Sequence, residues 1–430
     1  MKVSIQSSTL SGQVTAPASK SAMQRACAAA LLHRGQSYIY NPGKSNDDKV
    51  ALSIIRAFGA TTELQQGRLE VYSKGLETLL QAQAGTIHCG ESGLSIRMFA
   101  PICALTPHKI KLEGSGSLRN RPMHFFEEVL PQLGVQVSSN KGLLPLCLQG
   151  PLQARSISVD GSLSSQYITG LLMAYAALEA KDVQIHILNP VSKPYLALSL
   201  QVLRDFGLPC PRHEQLQTFI FDGASAHNKN EDVHYTVEGD WSNAAFWLVA
   251  ALRHPINIRG LDLNSVQADK RILEVLQQCG ANVHSEQDVI SVEAGELQPF
   301  SFDATDSPDL FPPLVALAAM LPGTSQISGV HRLQHKESNR AQSLQSEFGK
   351  LGLAIHINGN TMYITGGQRL KGADCHAHND HRIAMALSIA ASIAQGSTHI
   401  SNAESVQKSY PDFFEVFQSL GGQLQILEEG

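Results

Sequence analysis

The chain has 430 residues, 43% hydrophobic and 17% charged, with a formal net charge of -5. That length suits two or three globular domains and the balance excludes a disordered chain. The small negative charge argues against nucleic acid as a partner, so any anion site must come from individually placed Lys and Arg.

In chain order, a short strand-like run, Lys2–Gln6, comes first. Ser19-Lys20-Ser21 then opens an apolar helix over residues 26–32. Ser19 is placed to cap that helix, Lys20 stands at its mouth, and Ser21 and Arg25 share one face. A hydroxyl, an ammonium and a guanidinium at a helix N-terminus suit a phosphate or carboxylate.

From there the chain repeats. An amphipathic run ends in a large apolar residue or Cys followed by Gly, and a strand-like run follows. The glycines are Gly59, Gly134, Gly207, Gly280, Gly352 and Gly421, spaced 69–75 residues apart. Six units of this size fill the chain, and each Gly reads as the left-handed residue that ends a helix. After several of them come paired short runs joined by polar turns, such as Gln66-Gly67 and Asn358-Gly359, which read as hairpins. The sixth unit stops after one such run, so the unpartnered Lys2–Gln6 is expected to complete it.

Each unit also holds a helix apolar on nearly every side, hence buried: residues 26–32, 96–105, 168–178, 244–252, 314–321 and 383–393. At their heads stand Ser19-Lys20-Ser21, Glu91-Ser92-Gly93, Ser164-Ser165-Gln166, Asp240 to Asn243, Asp306 with Asp309, and Asp380-His381-Arg382. The amphipathic helices begin with charge too: Asp47 and Asp48, Arg119 and Arg121, Lys193, Lys270 and Arg271, Lys336 with Arg340, and Lys408. Pro122, Pro194 and Pro411 are expected in the first turns of three of them. Many positive helix ends facing one place would hold more than one anionic group.

The sharpest constellation is His335-Lys336-Glu337-Ser338-Asn339-Arg340. Lys336 and Arg340 share a helical face, and Glu337 can hold the Arg or move a proton. Asp303, Asp306 and Asp309 recur every third residue, which on one helix crowds carboxylates and raises a pKa. Pro308, Pro312 and Pro313 instead favour a helix start there, with Asp309 as a candidate base or a simple cap. Cys375, His376, His378 and His381 have a metal-like density but no second ligand cluster at metal spacing. Gly90-Glu91-Ser92-Gly93 lacks the final Gly of a nucleophile elbow. There is no dinucleotide fingerprint and no P-loop. Seven cysteines form no C-x-x-C pair, as expected of reduced thiols in a cytoplasmic protein. No signal-peptide core and no membrane-spanning run is read.

Taken together and collinearly, these motifs resemble the enolpyruvyl transferase family, and within it the 5-enolpyruvylshikimate-3-phosphate synthases. The resemblance rests on Pro17 to Ser21 with Arg25, Gly90 to Gly93 with Arg97, Arg121-Pro122-Met123, Ser164 to Tyr167 and Ser192 to Tyr195. It continues through Val237 to Asp240, Pro308-Asp309, Lys336 to Arg340, Asp380 to Arg382 and Lys408 to Pro411. It implies an α/β fold of two domains, an inside-out α/β barrel of six βαβαββ repeats with buried central helices. Residues 1–17 and 238–430 would form one domain and 18–237 the other, crossing near residues 16–18 and 236–239, with closure around substrate.

The implied activity is transfer of the enolpyruvyl group of phosphoenolpyruvate to the 5-hydroxyl of shikimate 3-phosphate, on the way to chorismate and the aromatic amino acids. No cofactor, metal, nucleic acid or membrane is implied, and a cytoplasmic monomer is. Shikimate 3-phosphate would meet Lys20, Ser21, Arg25, Ser164, Ser165, Gln166, Ser192, Asp309, Arg332 and Lys336. Phosphoenolpyruvate would meet Lys20, Gly93, Arg121, Gln166, Arg340, Arg382 and Lys408. Asp309 would be the base at the hydroxyl and Glu337 the acid at C3, with Lys20 sharing proton transfer. Three residues depart from the family's usual pattern: Ala18 for Gly, Glu91 for Asn, and Arg332 for Asn. Glu91 is expected to be neutralised by Arg97 or Arg119. The alternatives are a UDP-N-acetylglucosamine enolpyruvyl transferase, disfavoured by Ser21 and by the absence of Cys in residues 114–122, and a non-catalytic phosphate-binding relative, disfavoured by Asp309 and Glu337.

Overall fold

The computed structural model describes residues 1–83, 85–223 and 231–428. The chain forms two compact units, Met1–Pro17 with Gly239–Gly430, and Ala18–Glu238. Among the described residues each contains three four-stranded sheets built to one plan: a parallel pair, then two strands added antiparallel. In one sheet Thr86–His88 runs parallel to Lys109–Glu113, followed by Leu143–Gln149 and Gln136–Asn140. A buried helix joins the parallel strands, because a parallel pair needs a long crossover.

Three sheets draw one strand from a distant part of the chain. Val233–Thr236 lies parallel to Arg34–Tyr40. Gly12–Thr15 lies parallel to Ile256–Arg259. Lys2–Gln6 fills the third position of the last sheet, antiparallel to both Ser397–Ser401 and Gln423–Glu428.

The six central helices are α1 Lys20–Leu32, α2 Gly93–Cys103, α3 Ser165–Ala177, α4 Trp241–Ala251, α5 Phe311–Met320 and α6 His381–Ala391. In α2, α4, α5 and α6 every residue is buried. Such helices gain from apolar burial, about 1.5–3 kcal/mol for each large side chain. Small residues let them approach closely: a Cβ on Gly170 of α3 would stand 2.6 Å from the Met98 carbonyl of α2. The six repeat glycines all take positive φ, between 63° and 99°, as helix-ending left-handed residues must.

The local details differ from expectation in three places. The amphipathic run near residues 124–133 breaks at Pro131 into an α-helix, His124–Val129, and a 3-10 turn, Leu130–Leu133, since proline removes a helical N–H. Of the three prolines expected in first turns, only Pro194 lies inside its helix, Lys193–Asp205. Pro122 and Pro411 come just before helices that begin at His124 and Phe413. Asp303, Asp306 and Asp309 do not share a helix: Asp303 ends a strand, Asp306 lies in the connection, and Asp309 stands in a 3-10 turn, Pro308–Leu310. Among the described residues no helix is long and apolar enough to cross a membrane.

Candidate functional site

Side chains cap most of the central helices. Ser19 accepts from the Ala22 N–H, Ser92 from Ser95, Ser164 from Gln166, Asp240 from Asn243 and Asp380 from Arg382. The caps settle part of each head's backbone. α5 is different: it enters through a 3-10 turn without a side-chain cap. The carboxylate at that head, Asp309, turns to cations instead.

In the unit Ala18–Glu238 the arginines and Tyr167 at the helix heads bond hydroxyls, amides and carbonyls, while Lys20 pairs with a carboxylate. Lys20 Nζ meets Asp47 Oδ2 at 3.0 Å, at the start of the neighbouring helix Asn46–Ala57. Arg25 is almost wholly buried, and burial lowers its pKa to about 10, which leaves it charged at neutral pH. It donates to the Ser21 carbonyl at 2.8 Å, to Ser199 Oγ at 2.9 Å and to the Tyr195 carbonyl at 3.3 Å. It thereby ties α1 to the helix Lys193–Asp205. Ser192, in the left-handed region at φ 53°, begins that helix and is buried.

Ser165 is buried beside Ser164 at the head of α3. Arg97 donates to Gln166 Oε1 at 2.9 Å, and its guanidinium lies 5.1 Å from the centre of the Tyr167 ring. The Tyr167 hydroxyl donates to the Pro122 carbonyl at 2.6 Å, fixing the segment that carries Arg121. Gly93 lies under Arg121: a Cβ there would stand 2.4 Å from Arg121 Nη1. The Glu91 carboxylate packs against Gly116. Arg119 Nε donates to the Gly114 carbonyl at 3.1 Å.

In the unit of Met1–Pro17 with Gly239–Gly430 the heads are held by charge. Arg340 is fully buried at the start of the helix Arg340–Lys350. Its three nitrogens reach Asp309 Oδ1 at 2.8 Å, Glu337 Oε2 at 2.8 Å and Asp380 Oδ2 at 3.0 Å. Lys336 Nζ lies 3.1 Å from Asp309 Oδ1, and Arg382 Nη2 lies 3.2 Å from Oδ2. Burial opposes charge on Asp309, but Arg382, Lys336 and Arg340 outweigh it and hold the carboxyl well below its ordinary range. The expected crowding of aspartates, with a raised pKa, is therefore reversed at Asp309. Burial likewise lowers Lys336, against the pull of Asp309, and Arg332 stands near enough to add repulsion. Lys408 Nζ donates to the Asn379 carbonyl at 2.7 Å.

The histidine-rich run serves the scaffold. His376 and His378 pack edge to face at 4.9 Å, and His381 is buried at the head of α6. Among the described residues no group of three or more His, Cys, Asp or Glu could hold a metal ion.

The sequence from residue 5 to 417 matches the family model described as EPSP synthase (3-phosphoshikimate 1-carboxyvinyltransferase). The chain belongs to the EPSP synthase family. Among curated relatives, a 3-phosphoshikimate 1-carboxyvinyltransferase of Clostridium kluyveri is 34% identical over 424 residues, covering 98% of both chains. One of Methanosarcina acetivorans is 35% identical over 438 residues, covering all of both. The fold matches a solved EPSP synthase of Acinetobacter baumannii with a TM-score of 0.81 at 23% identity, covering 99% of this chain and 100% of that one. It also matches the enolpyruvyl transferase NikO of Streptomyces tendae, with a TM-score of 0.76 at 19% identity, covering 99% and 98%. The enolpyruvyl transferase fold of six repeats, expected from the motifs, is the one observed.

Two buried polar residues near the helix heads of this EPSP synthase family member escaped the sequence reading. Asp269 is fully buried and accepts from the Ser242 hydroxyl, and burial followed by the charge of Asp309 raises its pKa to about 7. Gln24 is buried in α1 and accepts from Ser92 and Ser95 at 3.1 and 2.9 Å, joining the heads of α1 and α2. Gln24 lies one residue before Arg25 in a motif already singled out. Asp269 immediately precedes the charged pair Lys270-Arg271, but nothing in that pattern marks it as buried.

Proposed function

We propose that the chain transfers the enolpyruvyl group of phosphoenolpyruvate to the 5-hydroxyl of shikimate 3-phosphate, releasing phosphate, in the pathway to chorismate. The observation that carries the reading is Asp309 within 3.2 Å of three cations, Lys336, Arg340 and Arg382. Both substrates bear a phosphate and a carboxylate, so ligand anions compete for those cations. When Lys336 turns to the sugar phosphate, and Arg340 and Arg382 to phosphoenolpyruvate, Asp309 loses the field that holds its proton affinity down. The base is then strong only when both substrates are present.

In the addition step Asp309 takes the proton of the 5-hydroxyl and the oxygen bonds C2 of phosphoenolpyruvate. C3 receives a proton and becomes a methyl group. In the elimination step C3 loses a proton, the double bond re-forms, and phosphate leaves C2. Glu337 is the group assigned to C3. It accepts from Arg340 at 2.8 Å, and gives up that partner when Arg340 turns to substrate. Lys20 shares the proton movement. Ser164, Ser165, Ser192, Arg332 and Lys336 are assigned to the sugar phosphate, and Ser21, Arg25 and Asp309 to the ring. Gln166 is assigned to both ligands. Lys20, Gly93, Arg121, Arg340, Arg382 and Lys408 are assigned to phosphoenolpyruvate.

This reading, with the family resemblance, makes the chain a cytoplasmic monomer, which light scattering and cell fractionation check. The deciding assay is phosphate release from phosphoenolpyruvate with shikimate 3-phosphate, run beside UDP-N-acetylglucosamine. Turnover with the first acceptor alone is expected, and none with it ends the reading.

A further inference from the structure

The helix Arg340–Lys350 carries two buried ionic side chains on one face, Arg340 and Glu347, seven residues apart. At about 1.5 Å per residue they stand roughly 10 Å apart along the axis. Both grip the same segment. Arg340 holds the Asp380 carboxylate. Glu347 Oε2 accepts from the His376 backbone N–H at 2.8 Å, and Oε1 meets His378 Nε2 at 2.8 Å. The turn so held runs through His378 and Asn379, both left-handed at φ 54° and 56°. Two successive non-glycine residues in that region are strained and persist only where the surroundings impose them.

The imposed turn has a direction. The His378 N–H donates back to His376 Nδ1 at 2.8 Å, and the Asn379 carbonyl accepts from Lys408 Nζ at 2.7 Å. Arg382 follows three residues after Asn379, at the head of α6. A relaxed turn would move that carbonyl and release Lys408.

We propose that Glu347 is a positioning residue: with Arg340 it forms a two-point clamp that holds the left-handed turn at His378-Asn379 and so sets Lys408 for the carboxylate or phosphate of phosphoenolpyruvate. The ligand assignment rests on the function proposed above; the clamp does not. Glu347 is almost wholly enclosed, so it acts through the turn and not on substrate.

Two readouts test it in the full chain. Amide exchange of a peptide covering residues 376–382 should speed about tenfold in Glu347→Gln and stay unchanged in Lys350→Met, which removes the exposed partner of Glu347. The KM for phosphoenolpyruvate should rise about tenfold in Glu347→Gln, with kcat and the KM for shikimate 3-phosphate within twofold of the original. If Glu347→Gln does not fold, His378→Ala, at an exposed position, should give the same pattern at about threefold. Unchanged exchange in the segment overturns the clamp, as does an equal response in Lys350→Met. Faster exchange with an unmoved KM for phosphoenolpyruvate overturns the link to Lys408. A wild-type chain that turns over neither acceptor defeats the proposed function, and the exchange result still decides the clamp.

Discussion

The two units build their helix heads from different materials. In Ala18–Glu238 most of the candidate side chains rest on neutral groups: Arg25 on two carbonyls and a hydroxyl, Arg97 on an amide, Tyr167 on the Pro122 carbonyl, with Lys20 on Asp47 as the exception. In the other unit Arg340 alone contacts three carboxylates, and Asp309 meets three cations. Neutral partners fix geometry without altering proton affinity much. Charged partners make proton affinity depend on whichever anion is bound. The first set is suited to holding a ligand and the second to switching a base.

That contrast is open to attack, beginning where the effect is greatest. Asp309→Asn keeps the shape but leaves Lys336, Arg340 and Arg382 without their shared carboxylate; kcat should fall about 10³-fold, in the range of general-base loss. A change confined to KM would erase the distinction between the units. Glu337→Gln should lower kcat about 10²-fold while shikimate 3-phosphate still binds, measured by calorimetry; near-normal turnover removes Glu337 from the C3 role. In the neutral unit, Gly93→Ala places a methyl 2.4 Å from Arg121 Nη1 and must push the guanidinium aside. The KM for phosphoenolpyruvate should rise tenfold or more with a smaller change in kcat. Ser164→Ala removes a cap from α3; it should cost about 1 kcal/mol of stability and raise the KM for shikimate 3-phosphate a few-fold.

The smallest prediction concerns what the units share. Each buries a histidine whose pKa is lowered by burial: His33 in one, His254, to about 4, in the other. A histidine that binds protons less well folded than unfolded leaves stability intact above its unfolded pKa, near 6.5. Stability is lost as pH falls below that value, down to the folded pKa. His254 should therefore cost about 1–2 kcal/mol by pH 5, and His254→Gln should flatten the acid side of a denaturation profile. If acid instead unfolds only one unit, the difference between them reaches beyond the helix heads.

Much of this was legible in the chain itself, for reasons specific to certain residues. A glycine forced to positive φ ends a helix at one place, so six of them mark six repeats. Helices apolar on all sides announce burial, and their polar heads mark the candidate site. Less could be read where meaning depends on distant partners. A three-residue spacing of aspartates fits a helix face, yet a strand end, a connection and a 3-10 turn separate Asp303, Asp306 and Asp309. Whether a carboxyl is pushed up, as at Asp269, or down, as at Asp309, is set by side chains tens of residues away. Glu347 looks like a surface acid beside Lys350 until the segment from His376 closes over it.

The strand Lys2–Gln6 lies inside the last sheet, hydrogen-bonded on both edges to strands that begin at Ser397 and Gln423. During synthesis it emerges long before either partner strand. The sheets of Ala18–Glu238 are all encoded before Gly239, so that unit can fold while the rest of the chain is still being made. The first strand, meanwhile, is an unpaired edge with Val3 and Ile5 exposed, as segments awaiting distant partners are. For the surrounding unit, folding waits on synthesis of those distant strands rather than on local propensity. Loss of a few residues from either end of that sheet should leave Ala18–Glu238 folded and its partner unit unfinished.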